Sequence, residues 1–225
     1  MRVKHFGIFK NEMETLNWES LRNNELEKPY YLPYTKEDYL NKVEISEPSH
    51  LTSIIIQEIE KIGIKKIFSI GSGIASQEYQ LKKFSEYKIV VSDYNKSVLR
   101  LKQFEIFDEA IVLDALQDPL PVDDSWIILL PRIDTEFSDY QLGTLFEKCH
   151  SSGVTHICFI PAELLSLRII IAEIKTLLTS FVMRKKRVFC GYARSMSSFK
   201  KIWDPYYKLS KEYKNGQQIF LLHSK

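Results

Sequence analysis

The chain is short of glycine, with 8 in 225 residues, about half the share of an average protein. That excludes a flexible linker, a collagen and a glycine-rich low-complexity protein. So few glycines should stand where the backbone conformation demands them, and Gly71 and Gly73 are only one residue apart. Cysteine is also scarce. Cys149, Cys158 and Cys190 are an odd number without a C-x-x-C pair. This argues against a disulfide framework or a zinc ribbon and fits a reduced, cytoplasmic setting. The five histidines show no metal-ligand spacing, so no metal is expected. The first ten residues hold no apolar run long enough for a signal peptide. Nor is there a long uncharged apolar run. The most hydrophobic stretch, 162–182, is interrupted by Arg168, Glu173 and Lys175, whereas a transmembrane helix needs about 20 residues with few charges. It reads as a core-packed helix. Because Met183-Arg-Lys-Lys-Arg187 follows at once, a peripheral membrane contact is the alternative.

What is present suits one folded domain, since 44% of residues are apolar and 12% aromatic. Residues 1–46 are polar and aromatic without a clear period and read as an N-terminal arm or lid, with Tyr34 and Tyr39 candidates to close over a site. Residues 47–225 read as the main domain. Leu51, Ile54, Ile55, Ile59 and Ile62 are on helical spacing between Pro48 and Gly63, which predicts a helix over 49–62. From residue 65 onward, short apolar runs alternate with helical stretches. The spacing predicts strands at 66–70, 88–92, 110–113, 126–130, 156–160, 187–192 and 218–223. Helices are predicted near 75–86, 97–105, 138–149 and 162–182. This alternation predicts βαβ units around a mostly parallel sheet, an α/β sandwich of three layers.

The chemistry-bearing residues cluster at the predicted carboxyl ends of the strands, where open α/β sheets bind ligands. Ile67-Phe-Ser-Ile-Gly71-Ser-Gly73-Ile-Ala-Ser76 is a strand, a Gly-x-Gly turn and a helix start. Glycine there lets the backbone approach a ligand, and the helix N-terminus offers free N–H groups. Asp93, followed by Tyr94, ends the second strand and can accept two ribose hydroxyls; it can equally cap the next helix. Asp114, followed by Ala115, ends the third strand, where an acid can take an adenine amino group or serve a turn. The fourth strand leads into Pro131, Arg132, Asp134 and Glu136.

These residues resemble the class I S-adenosylmethionine-dependent methyltransferases over about residues 48–223. The resemblance implies a Rossmann-like, seven-stranded sheet ordered 3-2-1-4-5-7-6 with an antiparallel last strand. It also implies S-adenosylmethionine as cofactor, held through Ser69, Gly71, Ser72, Gly73, Glu78, Asp93, Tyr94, Asp114, Ala115 and Pro131. The chain departs from the family in two places. Ser69 stands where an acid is usual, with Glu78 a partial stand-in, and Ala75 replaces a third glycine. That replacement also argues against a nicotinamide dinucleotide enzyme.

The charge is unevenly spread. Residues 1–182 carry 20 Lys/Arg and 27 Asp/Glu, whereas 183–225 carry 11 and 2. The segment 193–217 interleaves lysines with Phe199, Trp203, Tyr206, Tyr207 and Tyr213, and is expected to join strands six and seven on the ligand side. Arg194 is expected to face the acceptor, with Arg132 as a second acceptor contact and Asp134 or Glu136 as a base. The acceptor is expected to be a small molecule or glycan, with an anionic one among the options. A nucleic-acid methyltransferase using 193–217 is one alternative, and a catalytically silent binding subunit, suggested by Ser69, is another.

Overall fold

The computed structural model describes residues 2–5, 14–15, 18–183, 188–214 and 218–225. Strands β1 (Arg2–His5) and β2 (Glu14–Thr15) come first, then helices α1 (Trp18–Asn23), α2 (Lys36–Val43) and α3 (His50–Ile62). The alternating region runs β3 (Lys66–Ile70), α4 (Ser76–Phe84), β4 (Lys88–Asp93), α5 (Val98–Gln103), β5 (Glu109–Val112) and β6 (Ile127–Pro131). A 3-10 turn (Ile133–Thr135), α6 (Asp139–Ser151), β7 (His156–Ile160) and α7 (Leu167–Val182) follow. The chain closes with β8 (Val188–Tyr192), α8 (Met196–Trp203), β9 (Tyr207–Tyr213) and β10 (Ile219–Ser224).

The main sheet has seven strands in the order β5-β4-β3-β6-β7-β10-β9. Strands β3 to β7 are parallel to one another, and β10 is antiparallel to both β7 and β9. This is the implied Rossmann-like order. Both faces are covered. On one side Ile67, Ile89, Val91 and Ile127 pack with Ile55, Ile59, Leu81 and Leu101. On the other, Phe68, Ile128, Leu130 and Phe159 pack with Leu142, Phe146, Phe199 and Trp203. Sheet burial on two faces explains why the central strands are apolar at nearly every position.

The sixth strand is a correction. The run at 187–192 was expected to fill that place, but β8 pairs in parallel with β1 and β2 in a separate three-stranded sheet. The position beside β10 is taken by β9 instead. Its sequence, Tyr-Lys-Leu-Ser-Lys-Glu-Tyr, is that of a charge-guarded edge strand, so its lysines hide the alternation. Within 193–217, Phe199, Trp203 and Tyr207 are fully buried, and Lys211 pairs with Glu58 at 2.6 Å. The segment is therefore not a basic face spread over the acceptor side. Residues 184–187 and 215–217 lie outside the described residues.

Two local devices position the site. Ser49 caps α3 by accepting from the Thr52 amide, and Gly63 ends it at φ +81°. Gly191, at φ +115°, lets β8 press on the 3-10 turn, where a Cβ would meet Thr135 Cβ at 2.4 Å and its carbonyl oxygen at 2.9 Å. Backbone cannot yield as a side-chain tip can. Gly191→Ala is expected to cost about 2–4 kcal/mol, read as a lower midpoint in urea unfolding.

Candidate functional site

The loop after β3 adopts left-handed backbone at three alternate residues: Gly71 at φ +71°, Gly73 at +61° and Ala75 at +54°. Ala75 thus adopts, at a cost of about 1–2 kcal/mol, the conformation a third glycine would take freely. It is fully buried, and its carbonyl accepts from the Tyr39 hydroxyl at 3.3 Å. Tyr39 is therefore a prop beneath the loop and does not act as a lid. Gly71 lies against the 3-10 turn, since a Cβ there would stand 2.4 Å from Ile133 Cγ2.

Asp93 reaches back to this loop. Its Oδ2 accepts from the Gly73 amide at 3.0 Å, and its Oδ1 from the Asn95 amide at 2.9 Å. Ser72 is tied to the same strand end through the Ser92 carbonyl. Tyr94 stands beside Asp93, its ring 58% exposed. Beneath the loop the Ser69 hydroxyl donates to Glu78 Oε1. Glu78 is buried, and burial pushes its carboxyl up to about 7.

This shift has a pH signature. From about 4.5 to 7 the folded protein keeps a proton that the unfolded chain has released, so this group's contribution to stability is lost as pH rises through that window. Asp134 is pushed up to about 6, mainly by burial, and acts in the same sense. Glu78→Gln is expected to flatten the decline between pH 4.5 and 7 and to stabilise the protein at pH 8 by about 1–3 kcal/mol. Thermal melts at stepped pH read this directly.

The predicted site residues divide in the structure. Gly71, Ser72, Gly73, Asp93 and Glu136 converge, whereas Asp114 turns to its own loop. Its exposed carboxylate accepts from the Leu116 amide at 2.9 Å and the Gln117 amide at 3.3 Å, leaving Ala115 buried behind it. Pro131 ends β6, and Arg132 is exposed at φ +60°. Asp134 is fully buried. Its Oδ1 accepts from the Ala162 amide at 2.8 Å, and its Oδ2 has no hydrogen-bond partner among the described residues. It latches the loop after β7 and is closed to a substrate. Burial raises the Glu136 carboxyl, and its Oε2 accepts from Trp18 Nε1 at 2.7 Å.

Arg194 is a second correction. It is 3% exposed and turned inward. Its Nε donates to Asp139 Oδ1 at 2.7 Å, and its two terminal nitrogens donate to the carbonyls of Asp134 and Phe137. All of its donor edges are engaged in binding the end of β8 to the turn after β6, so it does not face an acceptor.

The residue that sequence reasoning missed is Arg22 of α1. Its Nη2 lies 2.6 Å from where a Gly73 Cβ would be. Nη1 donates to the Tyr30 carbonyl at 2.9 Å, and the guanidinium stands 5.3 Å from the Trp18 ring centroid. Asp93, Tyr94 and Glu136 lie within its electrostatic reach. Tyr34 is exposed and stacks under Arg100 at 3.8 Å. The arm thus meets the cradle through Trp18 and Arg22, and neither anticipated tyrosine closes over it. The geometry gathers two carboxylates, one guanidinium and a glycine-lined backbone, which suits a small ligand carrying both charges and hydroxyls.

No family model and no curated protein sequence matches the chain. Solved structures do. Human N-acetylserotonin methyltransferase in complex with S-adenosylmethionine superposes with a TM-score of 0.60 at 17% identity, over 92% of this chain and 58% of that one. The PH0226 protein of Pyrococcus horikoshii gives 0.62 at 15% identity, over 92% and 99%. The mitomycin 7-O-methyltransferase MmcR gives 0.58 at 12% identity, over 92% and 60%. The chain therefore spans a little over half the length of two of these neighbours and nearly all of the third. At these identities the likeness shows the fold.

Proposed function

From a chain that carries the class I methyltransferase fold, we propose an S-adenosylmethionine-dependent methyltransferase acting on a small-molecule acceptor. The single observation that carries the reading is the convergence of Asp93, Arg22 and Glu136 on the left-handed loop at Gly71 and Gly73. The cofactor fits this set. Its ribose hydroxyls suit Asp93, its cationic centres suit the acidic wall, and its carboxylate suits Arg22. Glycine at 71 and 73 keeps side chains out of the approach.

When bound, S-adenosylmethionine supplies an electrophilic methyl group on a sulfonium. The protein's part is alignment and proton handling. Asp93 fixes one end of the cradle through the Gly73 amide. Arg22 neutralises a carboxylate beside the same glycine. Glu136, its carboxyl raised by burial and oriented by Trp18, takes up the acceptor's hydroxyl proton at Oε1. The buried Ser69–Glu78 pair supplies the acidic group that family members place at position 69 itself. Exposed Arg132, four residues before Glu136 in the chain, binds an anionic group of the acceptor; a glycan or other anionic small molecule fits this edge. A cytosolic setting is supported by Cys149 and Cys158, which are buried free thiols.

Titration calorimetry tests the reading. The parent protein is expected to bind S-adenosylmethionine at one site in the micromolar range. Arg22→Ala is expected to weaken it at least tenfold, the loss of one charge-assisted pair. Absence of binding at millimolar cofactor would reject the function.

A further inference from the structure

Helix α7 leaves the ligand end of the sheet and exposes an apolar stripe. Leu167, Ile171, Ile174, Leu178 and Val182 are each 50–79% exposed. Their spacing of three or four residues puts them within an arc of roughly 80° on one helix face. Together with Met183 they make up half of the twelve exposed large apolar residues described in the chain. A continuous apolar face of this kind is uncommon on a free surface and marks a partner.

Charge indicates which partner. Arg168 and Lys175 are exposed on α7, and helical spacing places both along one border of the stripe. Arg184, Lys185, Lys186 and Arg187 follow at once in the sequence. A second copy of this chain would bring an equally basic surface against this one, whereas an anionic bilayer matches both features. Apolar side chains enter its acyl boundary, and each nearby Lys or Arg adds about 1 kcal/mol at the headgroups. No helix among the described residues is long and apolar enough to cross a membrane, so the contact is one that lies in the surface.

We propose that the apolar stripe of α7, bordered by Arg168 and Lys175, seats this protein on an anionic membrane surface. The root of α7 is fixed beside the candidate site. Leu165 donates its amide to the Arg194 carbonyl at 2.7 Å, and Ala162 donates to Asp134.

Vesicle co-sedimentation tests it with two compositions: phosphatidylcholine alone, and phosphatidylcholine with about one third phosphatidylglycerol. The parent is expected to pellet with the anionic vesicles, to remain largely in solution with neutral ones, and to be released by added salt. The double variant I171D/L178D, altered only at exposed positions, is expected to lose at least tenfold of this binding while keeping its circular dichroism and its S-adenosylhomocysteine affinity. Reversing the border charges with R168E/K175E is expected to weaken anionic binding in the same direction. Equal pelleting of parent and I171D/L178D, or no pelleting of the parent, overturns the proposal. So does a parent dimer that becomes monomeric in I171D/L178D without any vesicle binding, which would make the stripe an interface between copies. Cofactor affinity is read separately, so failure of the surface and failure of the enzymatic reading remain distinguishable.

Discussion

An Arg194→Ala protein is expected to lose about 2–4 kcal/mol of folding stability. The guanidinium is buried, and its three donor contacts hold Asp139 and the carbonyls of Asp134 and Phe137. Removing it leaves the Asp134 and Phe137 carbonyls without their donor and separates the end of β8 from the turn that presents Glu136. A loss of this size is a large fraction of a typical domain's 5–15 kcal/mol. Arg194→Lys is expected to recover only part of it, because an ammonium cannot span three acceptors in the plane of a fork. Urea unfolding of the three proteins measures the order directly. A change below about 1 kcal/mol for Arg194→Ala would return this residue to the acceptor side.

The second large effect belongs to Asp93. Asp93→Ala removes the acceptor of both the Gly73 and the Asn95 amides, together with the proposed ribose contacts. Loss of two charge-assisted bonds at about 1.5–3 kcal/mol each amounts to at least a hundredfold in cofactor affinity. Calorimetry with S-adenosylhomocysteine reads it. Asp93→Asn, which keeps one carbonyl oxygen for the loop, is expected to fall between Ala and the parent. Affinity in Asp93→Ala equal to the parent would show the ribose assignment to be wrong.

How much of this was legible in the sequence follows from where each residue is anchored. β3, β4, β6 and β7 are buried on both faces, so their apolar runs stand out against charged flanks, and 66–70 and 156–160 match to the residue. The Gly-x-Gly turn is visible for the same reason, because it breaks one of those runs. β9 was hidden because an edge strand keeps lysines outward and has only one face to bury. β8 was recognised as a strand but placed in the wrong sheet. Its partners β1 and β2 lie far upstream in an arm with no periodicity, and only pairing reveals them.

The site was less legible than the fold. Asp93 could be foreseen because its position at a strand end is local information. Arg22 could not, since nothing around it in the sequence differs from a solvated arm, and its meaning comes from a contact with Gly73 across the fold. Asp134 and Glu136 are only two residues apart, yet the 3-10 turn buries one and leaves the other at the cleft. Composition cannot separate them. Arg194 shows the opposite error, in which a cation at a strand end was assigned to a ligand although the fold itself engages each of its three guanidinium nitrogens.

The central claim is that the loop at Gly71–Gly73, Asp93 and Arg22 form a cradle for S-adenosylmethionine. A crystal structure of the protein soaked with S-adenosylhomocysteine tests it most directly. The expected result is a nucleoside whose ribose hydroxyls bond Asp93, with the amino-acid carboxylate within hydrogen-bonding distance of Arg22 and the sulfur on the side of Glu136. Density for the ligand at any other place, or an unliganded cradle at saturating concentration, would contradict it.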